Sequence, residues 1–372
     1  MIRALGLMSG TSLDGIDAAI VETDGEGAVR SGPSLAVPYK PEERLLLSLA
    51  LEAAKSWEPE DPMPEEIAEA ERHLTLANAL AVRSLLNEAG LKPADVSVIG
   101  FHGQTVLHQP ERRRTVQIGL GEVLARLTGI DVINDFRSAD VAAGGQGAPL
   151  VPLYHQALVR SAGVKEPVAL INIGGVGNIT YVGTDGTLLA FDTGPGNALI
   201  DDWALMHTGE PLDRDGSLAS AGEVDMDALE ALMEHAFFDA PPPKSLDRFS
   251  FSPDAVRHLL PPDGAATLTA FTVEAIARGL AHVPGVPSRF IVCGGGRHNP
   301  VMMSMLSRRL QGGVLPAEDL GWRGDDVEAE AFAYLAVRSL RGLPLSLPTT
   351  TGVPEPTRGG RLHRAGEPEP QV

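Results

Sequence analysis

Three times the chain passes from a short apolar strand directly into a turn of glycines and small polar residues. The first turn lies within residues 8–17 (Met-Ser-Gly-Thr-Ser-Leu-Asp-Gly-Ile-Asp), between strand-like runs at 3–8 and 16–22. The second lies within 171–180 (Ile-Asn-Ile-Gly-Gly-Val-Gly-Asn-Ile-Thr), between runs at 168–173 and 178–182. The third follows the run 289–293 as Gly294, Gly295 and Gly296, with a helix opening near Asn299. Small residues let a backbone come close to a ligand. Consecutive amides with hydroxyls form a nest for anionic oxygens, and a helix N-terminus favours phosphate. Strand–turn–strand openings followed by helices occur in both halves. They predict two α/β halves, pseudo-duplicated, each with a mixed sheet, their glycine turns aimed at a shared cleft. The first opening is not a P-loop, since the Gly-Lys-Ser/Thr ending is missing. The second turn is not followed at once by a helix, so it is no dinucleotide fingerprint. The competing reading of the first is a plain Asp-Gly hairpin.

At 372 residues the chain is long enough for two domains at about 100–200 residues each. Its net charge of −19 argues against binding nucleic acid or an anionic membrane. No apolar run is long enough to span a bilayer, and the N-terminus turns polar too soon for a signal peptide. One cysteine, Cys293, excludes an intrachain disulfide and a cysteine-based metal site within one chain. It reads as a small core residue inside an apolar strand. These features predict a cytoplasmic chain. Helices are expected at 42–55, 65–90, 121–127, 150–160, 197–207, 225–236, 252–260, 265–282 and 325–341, and residues 355–372 read as a disordered tail.

The turns supply the candidate site. Gly10, Thr11, Ser12, Leu13, Asp14, Gly15, Ile16 and Asp17 form the first nest, and Asp14 could hold Mg²⁺ through water. Gly174, Gly175, Gly177 and Asn178 form the second, with Gly294, Gly295 and Asn299 in the third. Asp192 ends a strand beside Gly194 and Gly196 and opens toward a helix, where a general base is held rigidly. The rival reading makes Asp192 a capping residue. Polar clusters at His102, Gly103, Gln104 and Thr105, at Asp135 and Arg137, and at 243–245 (Pro-Lys-Ser) offer the paired donors and acceptors a sugar needs. Arg137 suits a substrate carboxylate. Each cluster could equally be a solvated loop. His102 and His108 lack zinc-ligand spacing, and no Gly-x-Ser-x-Gly elbow occurs.

The two glycine hairpins and the late strand–Gly-Gly-Gly–helix resemble the acetate and sugar kinase, heat-shock-70 and actin superfamily. Ordered blocks narrow this further: 6–17, 101–105 (Phe-His-Gly-Gln-Thr), 134–137 (Asn-Asp-Phe-Arg), 143–149, 172–180, 191–197 (Phe-Asp-Thr-Gly-Pro-Gly-Asn), 213–216 (Asp-Arg-Asp-Gly) and 293–299. Together they resemble the anhydro-N-acetylmuramic acid kinase family, in family order, from residue 5 to about 352. The resemblance implies a two-lobed actin-like ATPase fold of ribonuclease H-like, duplicated mixed-sheet domains. One lobe would be 1–135 plus about 335–354 and the other 136–334, with the last helix returning to the first. It implies a bacterial, cytoplasmic, homodimeric enzyme of cell-wall recycling. That enzyme would use ATP to open 1,6-anhydro-N-acetylmuramic acid with water and phosphorylate O6. The family pattern carries ATP binding onto 10–17 and the base onto Asp192, while Glu328 on the last long helix is a further sugar contact or a solvated carboxylate. The rival functions are a nucleotide-driven switch of the heat-shock-70 or actin type, a different sugar kinase, and an exopolyphosphatase-like hydrolase.

Overall fold

The computed structural model describes residues 1–10, 13–246 and 250–366. In chain order it runs β1 (Ile2–Met8), β2 (Gly15–Thr23), β3 (Val29–Pro38), α1 (Pro41–Ala54), α2 (Glu65–Glu88), β4 (Val98–Phe101), β5 (Gln104–Gln109), β6 (Arg114–Ile118), α3 (Gly121–Thr128), β7 (Val132–Asn134), α4 (Ser138–Ala142) and α5 (Pro152–Ser161). Then come β8 (Val168–Ile173), β9 (Val176–Val182), β10 (Leu188–Pro195), α6 (Ala198–Thr208), α7 (Ser217–Ser220), α8 (Met226–Met233), α9 (Pro261–Gly279), β11 (Arg289–Cys293), α10 (Pro300–Arg309) and β12 (Gly313–Pro316). The chain closes with α11 (Val327–Leu340), α12 (Pro348–Thr351) and β13 (Arg361–His363).

The chain forms two compact units, Met1–Gly163 with Asp326–Val372, and Val164–Asp325. In the first the main sheet has the order β13-β7-β4-β1-β2-β3. β2 pairs antiparallel with β1 on one side and β3 on the other, while β4 and β7 continue from β1 in parallel. In the second the order is β10-β9-β8-β11-β12, again with three antiparallel strands and two parallel ones. The same 3-2-1-4-5 order in both units is the duplicated mixed sheet that the two glycine-turn openings predict, and the ribonuclease H-like order that the resemblance implies.

The last long helix belongs wholly to the first unit. Nearly all of α11 is buried, including Phe332, Tyr334 and Leu335, and its two buried charged residues, Glu330 and Arg338, are hydrogen-bonded. Each large apolar side chain among them contributes about 1.5–3 kcal/mol on burial. Its backbone lies directly on β1 and β4: a side chain at Gly6 or Gly100 would run into the Ala329 or Phe332 carbonyl. The second core gathers Ile171, Trp203, Leu268, Phe271 and Met302.

The structure differs from the sequence reading in several places. Residues 136–163 and 326–334 pack with the first unit, because α5 and α11 share a buried contact, Tyr154 Oη donating to Glu330 Oε2 at 2.7 Å. The helix expected at 252–260 is only a short turn at Asp254–Val256, and α9 starts at Pro261. Proline fits the first helical turn but holds Leu260 extended, so the helix cannot begin earlier. Gln104 and Thr105, read within a polar loop cluster, open β5, whose partner is β6. In the expected tail, β13 pairs antiparallel with β7, Arg361 opposite Asn134. Three residues are too few to show an apolar pattern. β3, which the sequence reading leaves unassigned, carries Gly32, Pro33 and Ser34, and an outer strand tolerates such residues.

Candidate active site

In the first unit the β1–β2 turn is tied to the segment entering α1. Leu13 N–H donates to the Gly10 carbonyl at 3.3 Å, with Leu13 at φ +55. Tyr39 N–H donates to the Asp14 carbonyl at 3.0 Å, and Arg44 Nε to the Leu13 carbonyl at 2.9 Å. The Tyr39 and Ser9 hydroxyls meet at 2.7 Å, and burial holds the phenol up at about 12. Asp14 is exposed at the end of this turn, and Asp17 is half-buried on β2. Gly15 opens β2 opposite Pro38, and Ile16 is core, so these two can offer a ligand only their backbone. Thr11 and Ser12 lie outside the described residues.

The turns of the second unit form one interlocked piece. Gly196 N–H donates to the Gly175 carbonyl at 2.9 Å and Asn197 N–H to the Gly174 carbonyl at 2.7 Å, so the start of α6 clasps the β8–β9 turn. The Asn197 carboxamide also donates to the Ile173 carbonyl at 3.0 Å. The candidate glycines then divide. Gly174, Gly175 and Gly295 have nothing closer than 3.6 Å to a would-be side chain and are open to a ligand. Gly194 and Gly196 are instead filled by Ala275 and by the Gly174 carbonyl, and Gly294, at φ +74, by Asn172. Their glycines serve packing. Gly177 faces the Thr193 hydroxyl, and Asn178 sits on β9 opposite Asp192. Asn299 caps α10, its side-chain oxygen accepting from Val301 and Met302 N–H at 3.0 and 3.1 Å. Buried Arg297 donates to the Gly294 carbonyl at 3.0 Å and to both oxygens of Asp325 at 2.7 and 2.6 Å, fixing the glycine turn.

Asp192 stands where the β10 ladder breaks register between residues 192 and 194. Such a bulge re-aims a side chain. Its Oδ2 accepts from Leu246 N–H at 2.8 Å. Burial lifts its pKa from 3.8 to about 7, against the opposing pull of that one N–H. A carboxylate poised near neutrality is suited to take a proton from water.

A second cluster forms in the first unit. His102 is buried, and its Nδ1 must carry the proton, because it lies 2.7 Å from the Gly103 carbonyl, which can only accept. Its Nε2 then accepts from Arg137 Nη2 at 3.0 Å and Nε at 3.3 Å. Burial, helped by Arg137, drops the imidazole to about 3, so it stays neutral. Arg137 Nη1 donates to the Gly147 carbonyl at 2.7 Å. Burial lowers its guanidinium to about 10 against the pull of Glu328 and then Asp140, and it remains a cation. Asp140 holds the adjoining loop, accepting from Gly147 N–H and the Thr351 hydroxyl, both at 2.6 Å. Gln104 is buried with neither carboxamide atom hydrogen-bonded among the described residues. Thr105 is half-buried beside Gln117, and Gly103 packs on the Ile118 carbonyl. Asp135 is exposed and accepts from Ser138 N–H at 3.4 Å.

The structure thus brings His102 and Arg137 together as partners, with the charge of Glu328 acting on Arg137. Sequence reasoning missed Arg44 and Tyr39, whose partners are remote in the chain, and gave no role to Asp140 and Arg297. It also read 243–245 as sugar-facing, whereas the Lys244 ammonium turns inward. Among the described residues no three His, Cys, Asp or Glu side chains are grouped to hold a metal ion, and no helix is long and apolar enough to cross a membrane.

Known proteins give these features a family. A profile described as anhydro-N-acetylmuramic acid kinase matches residues 2–364. A protein of that name from Paramagnetospirillum magneticum is 55% identical over 97% of this chain and 99% of its own length. One from Rhizorhabdus wittichii is 54% identical over 97% and 98%. Component A of the Acidaminococcus fermentans (R)-2-hydroxyglutaryl-CoA dehydratase overlaps distantly, at TM-score 0.49 and 11% identity, over 92% of this chain and 100% of that one. Matched nearly end to end by this profile and these relatives, the chain belongs to the anhydro-N-acetylmuramic acid kinase family.

Proposed function

We propose that this chain is an ATP-dependent kinase that opens 1,6-anhydro-N-acetylmuramic acid with water and phosphorylates O6, giving N-acetylmuramic acid 6-phosphate and ADP. The family supports the substrate and the phosphoryl donor. The observation that carries the chemistry is Asp192, half-buried at a bulge, with one main-chain donor and a pKa near neutrality. Asp192 takes a proton from water as the water oxygen attacks the anomeric carbon. The C1–O6 bond breaks, and O6 keeps the electron pair and attacks the γ-phosphorus, displacing ADP. Phosphoryl transfer needs positioning and charge neutralisation more than covalent help.

For ATP, the β1–β2 turn (Gly10, Thr11, Ser12, Leu13, Asp14, Gly15, Ile16, Asp17) and the open amides of Gly174, Gly175 and Gly295 supply the contacts. Gly177, Asn178, Gly194, Gly196, Gly294 and Asn299 shape those turns. Exposed Asp14 fits Mg²⁺ held through water, since this ion keeps its waters and needs few protein carboxylates beside phosphates. When bound, it neutralises phosphate charge. For the sugar, Arg137 faces the lactyl carboxylate, with Gln104, Thr105, Asp135 and Glu328 around it and His102 and Gly103 behind. Family membership also supports a cytoplasmic homodimer.

The test is ATP turnover with and without the anhydro-sugar, in the wild type and in Asp192→Asn. The reading expects sugar-dependent ADP release, and loss of several orders of magnitude in the variant with ATP binding intact. Sugar-independent turnover would favour a nucleotide switch, and near-normal turnover in the variant would reject Asp192 as base.

A further inference from the structure

Asp192 is gripped twice by one irregular segment. Its own N–H donates to the Lys244 carbonyl at 2.9 Å, and its Oδ2 accepts from Leu246 N–H at 2.8 Å. Residues 244–246 lie in no helix or strand, so neighbouring ladder bonds do not hold them in place. The Lys244 side chain does. It is only 9% exposed. Its Nζ donates to the Phe237 carbonyl at 2.9 Å and the Phe238 carbonyl at 3.4 Å, and stands 4.4 Å from the Phe237 ring centroid. Phe237 and Phe238 belong to an aromatic cluster with Phe251 and Phe271. A buried ammonium is costly unless its donors are satisfied, and burial pulls this one below the usual lysine range. An apolar side chain would fill the space but could not tie the segment to two carbonyls.

We propose that Lys244 is a positioning residue for the reaction: by anchoring residues 244–246 to the carbonyls of Phe237 and Phe238, it aims the Leu246 N–H at Asp192 and so fixes the carboxylate. This rests on the reading of Asp192 as the base. One carboxylate oxygen is held by the amide. The other, Oδ1, has no donor among the described residues and is left to receive the proton. The hydrogen bond also favours the ionised form. The groups packed around this region are Asn178 on β9, which is neutral, His282 edge-on to Phe191, Arg278 paired with Asp239, and His235, which packs on Phe238 and Phe251 and accepts from Phe237 N–H. Arg278 and Asp239 act on Lys244, whereas Asp192 answers only to burial and the Leu246 amide.

The experiment follows kcat against pH in Lys244→Met, which keeps the stem and removes the ammonium. A misplaced catalytic group costs up to about 100-fold, so kcat is expected to fall about 10- to 100-fold, with KM for ATP and sugar within about twofold. The acidic limb is expected to move to higher pH, because the ionised base has lost a donor. A merely structural lysine would lower the active fraction without moving that limb. Leu246→Pro, which deletes the N–H, is expected to move the limb the same way, and Leu246→Ala, which keeps it, is not. If Lys244→Met does not fold, the Leu246 pair decides. A limb unmoved in folded Lys244→Met, or identical in the two Leu246 variants, overturns the proposal while Asp192→Asn remains inactive. Turnover surviving in Asp192→Asn overturns the base reading itself.

Discussion

Replacing Asp192 by asparagine should stabilise the protein that it inactivates. Burial raises the carboxyl from 3.8 to about 7, so the native state resists ionising it. A group whose folded pKa is raised contributes stability that is fully present below the unfolded value and is lost as pH rises through the folded one. The wild type therefore loses stability between pH 3.8 and about 7, and the loss is complete above that. At about 1.4 kcal/mol per pKa unit the shift is worth roughly 4 kcal/mol. Partial exposure of the side chain reduces this to about 2 kcal/mol. Asparagine keeps an oxygen for the Leu246 N–H and does not titrate. Urea unfolding of both proteins at pH 4, 6 and 8 reads the difference. The variant should gain on the wild type by about 2 kcal/mol from the lowest pH to the highest. A difference that does not change with pH would refute the reasoning, because it would mean that Asp192 ionises as freely in the folded chain as in the unfolded one.

Arg137→Lys keeps a charge but loses the fork that meets His102, Gly147 and a substrate carboxylate together. Its KM for the anhydro-sugar should rise about 10- to 100-fold, one or two charge-assisted hydrogen bonds at about 1.5–3 kcal/mol each, with little change for an anhydro-sugar lacking the lactyl group. An equal effect on both sugars would count against the assignment. His102 and His155 are buried and held near 3. Their folded pKa values are depressed, so stability is present above the ordinary value of 6.5 and lost as pH falls from there toward 3. Each removes about 1.4 kcal/mol per pH unit, and Asp192, at about 2 kcal/mol over its range, offsets roughly half of one of them. A urea midpoint that falls from pH 6.5 to 5 in the wild type, and falls more steeply in Asp192→Asn, is the expected record; a midpoint that does not fall is the contrary one. Chelation of divalent ions should abolish turnover and added Mg²⁺ restore it, and turnover that persists in chelator would remove Asp14 from the account.

What could be read from the sequence was local. The glycine turns announce themselves because a strand, a turn and a second strand are contiguous, and Asp192 stands out beside Gly194 and Gly196 for the same reason. The duplicated sheets follow from two such openings. What depends on partners far along the chain was hidden. His102 meets Arg137 across 35 residues and Asp140 meets Thr351 across 211, and no spacing rule signals either. Lys244 looked like a sugar-facing cation, because nothing local says that its stem runs inward to Phe237. Glycine also carries two meanings that sequence cannot separate. Gly174 and Gly175 are open, whereas Gly194 and Gly196 are small because neighbouring atoms occupy the space. β13 and β3 escaped because outer strands accept Pro, Gly and charge.

The most direct measurement is the product of a reaction run in isotopically labelled water with anhydro-sugar and ATP. If Asp192 drives a water molecule onto the anomeric carbon while O6 leaves for phosphorus, the label appears on C1 of a ring-opened 6-phosphate and none enters phosphate. A phosphorylated sugar whose anhydro bridge survives, or label found in free phosphate, would contradict that account.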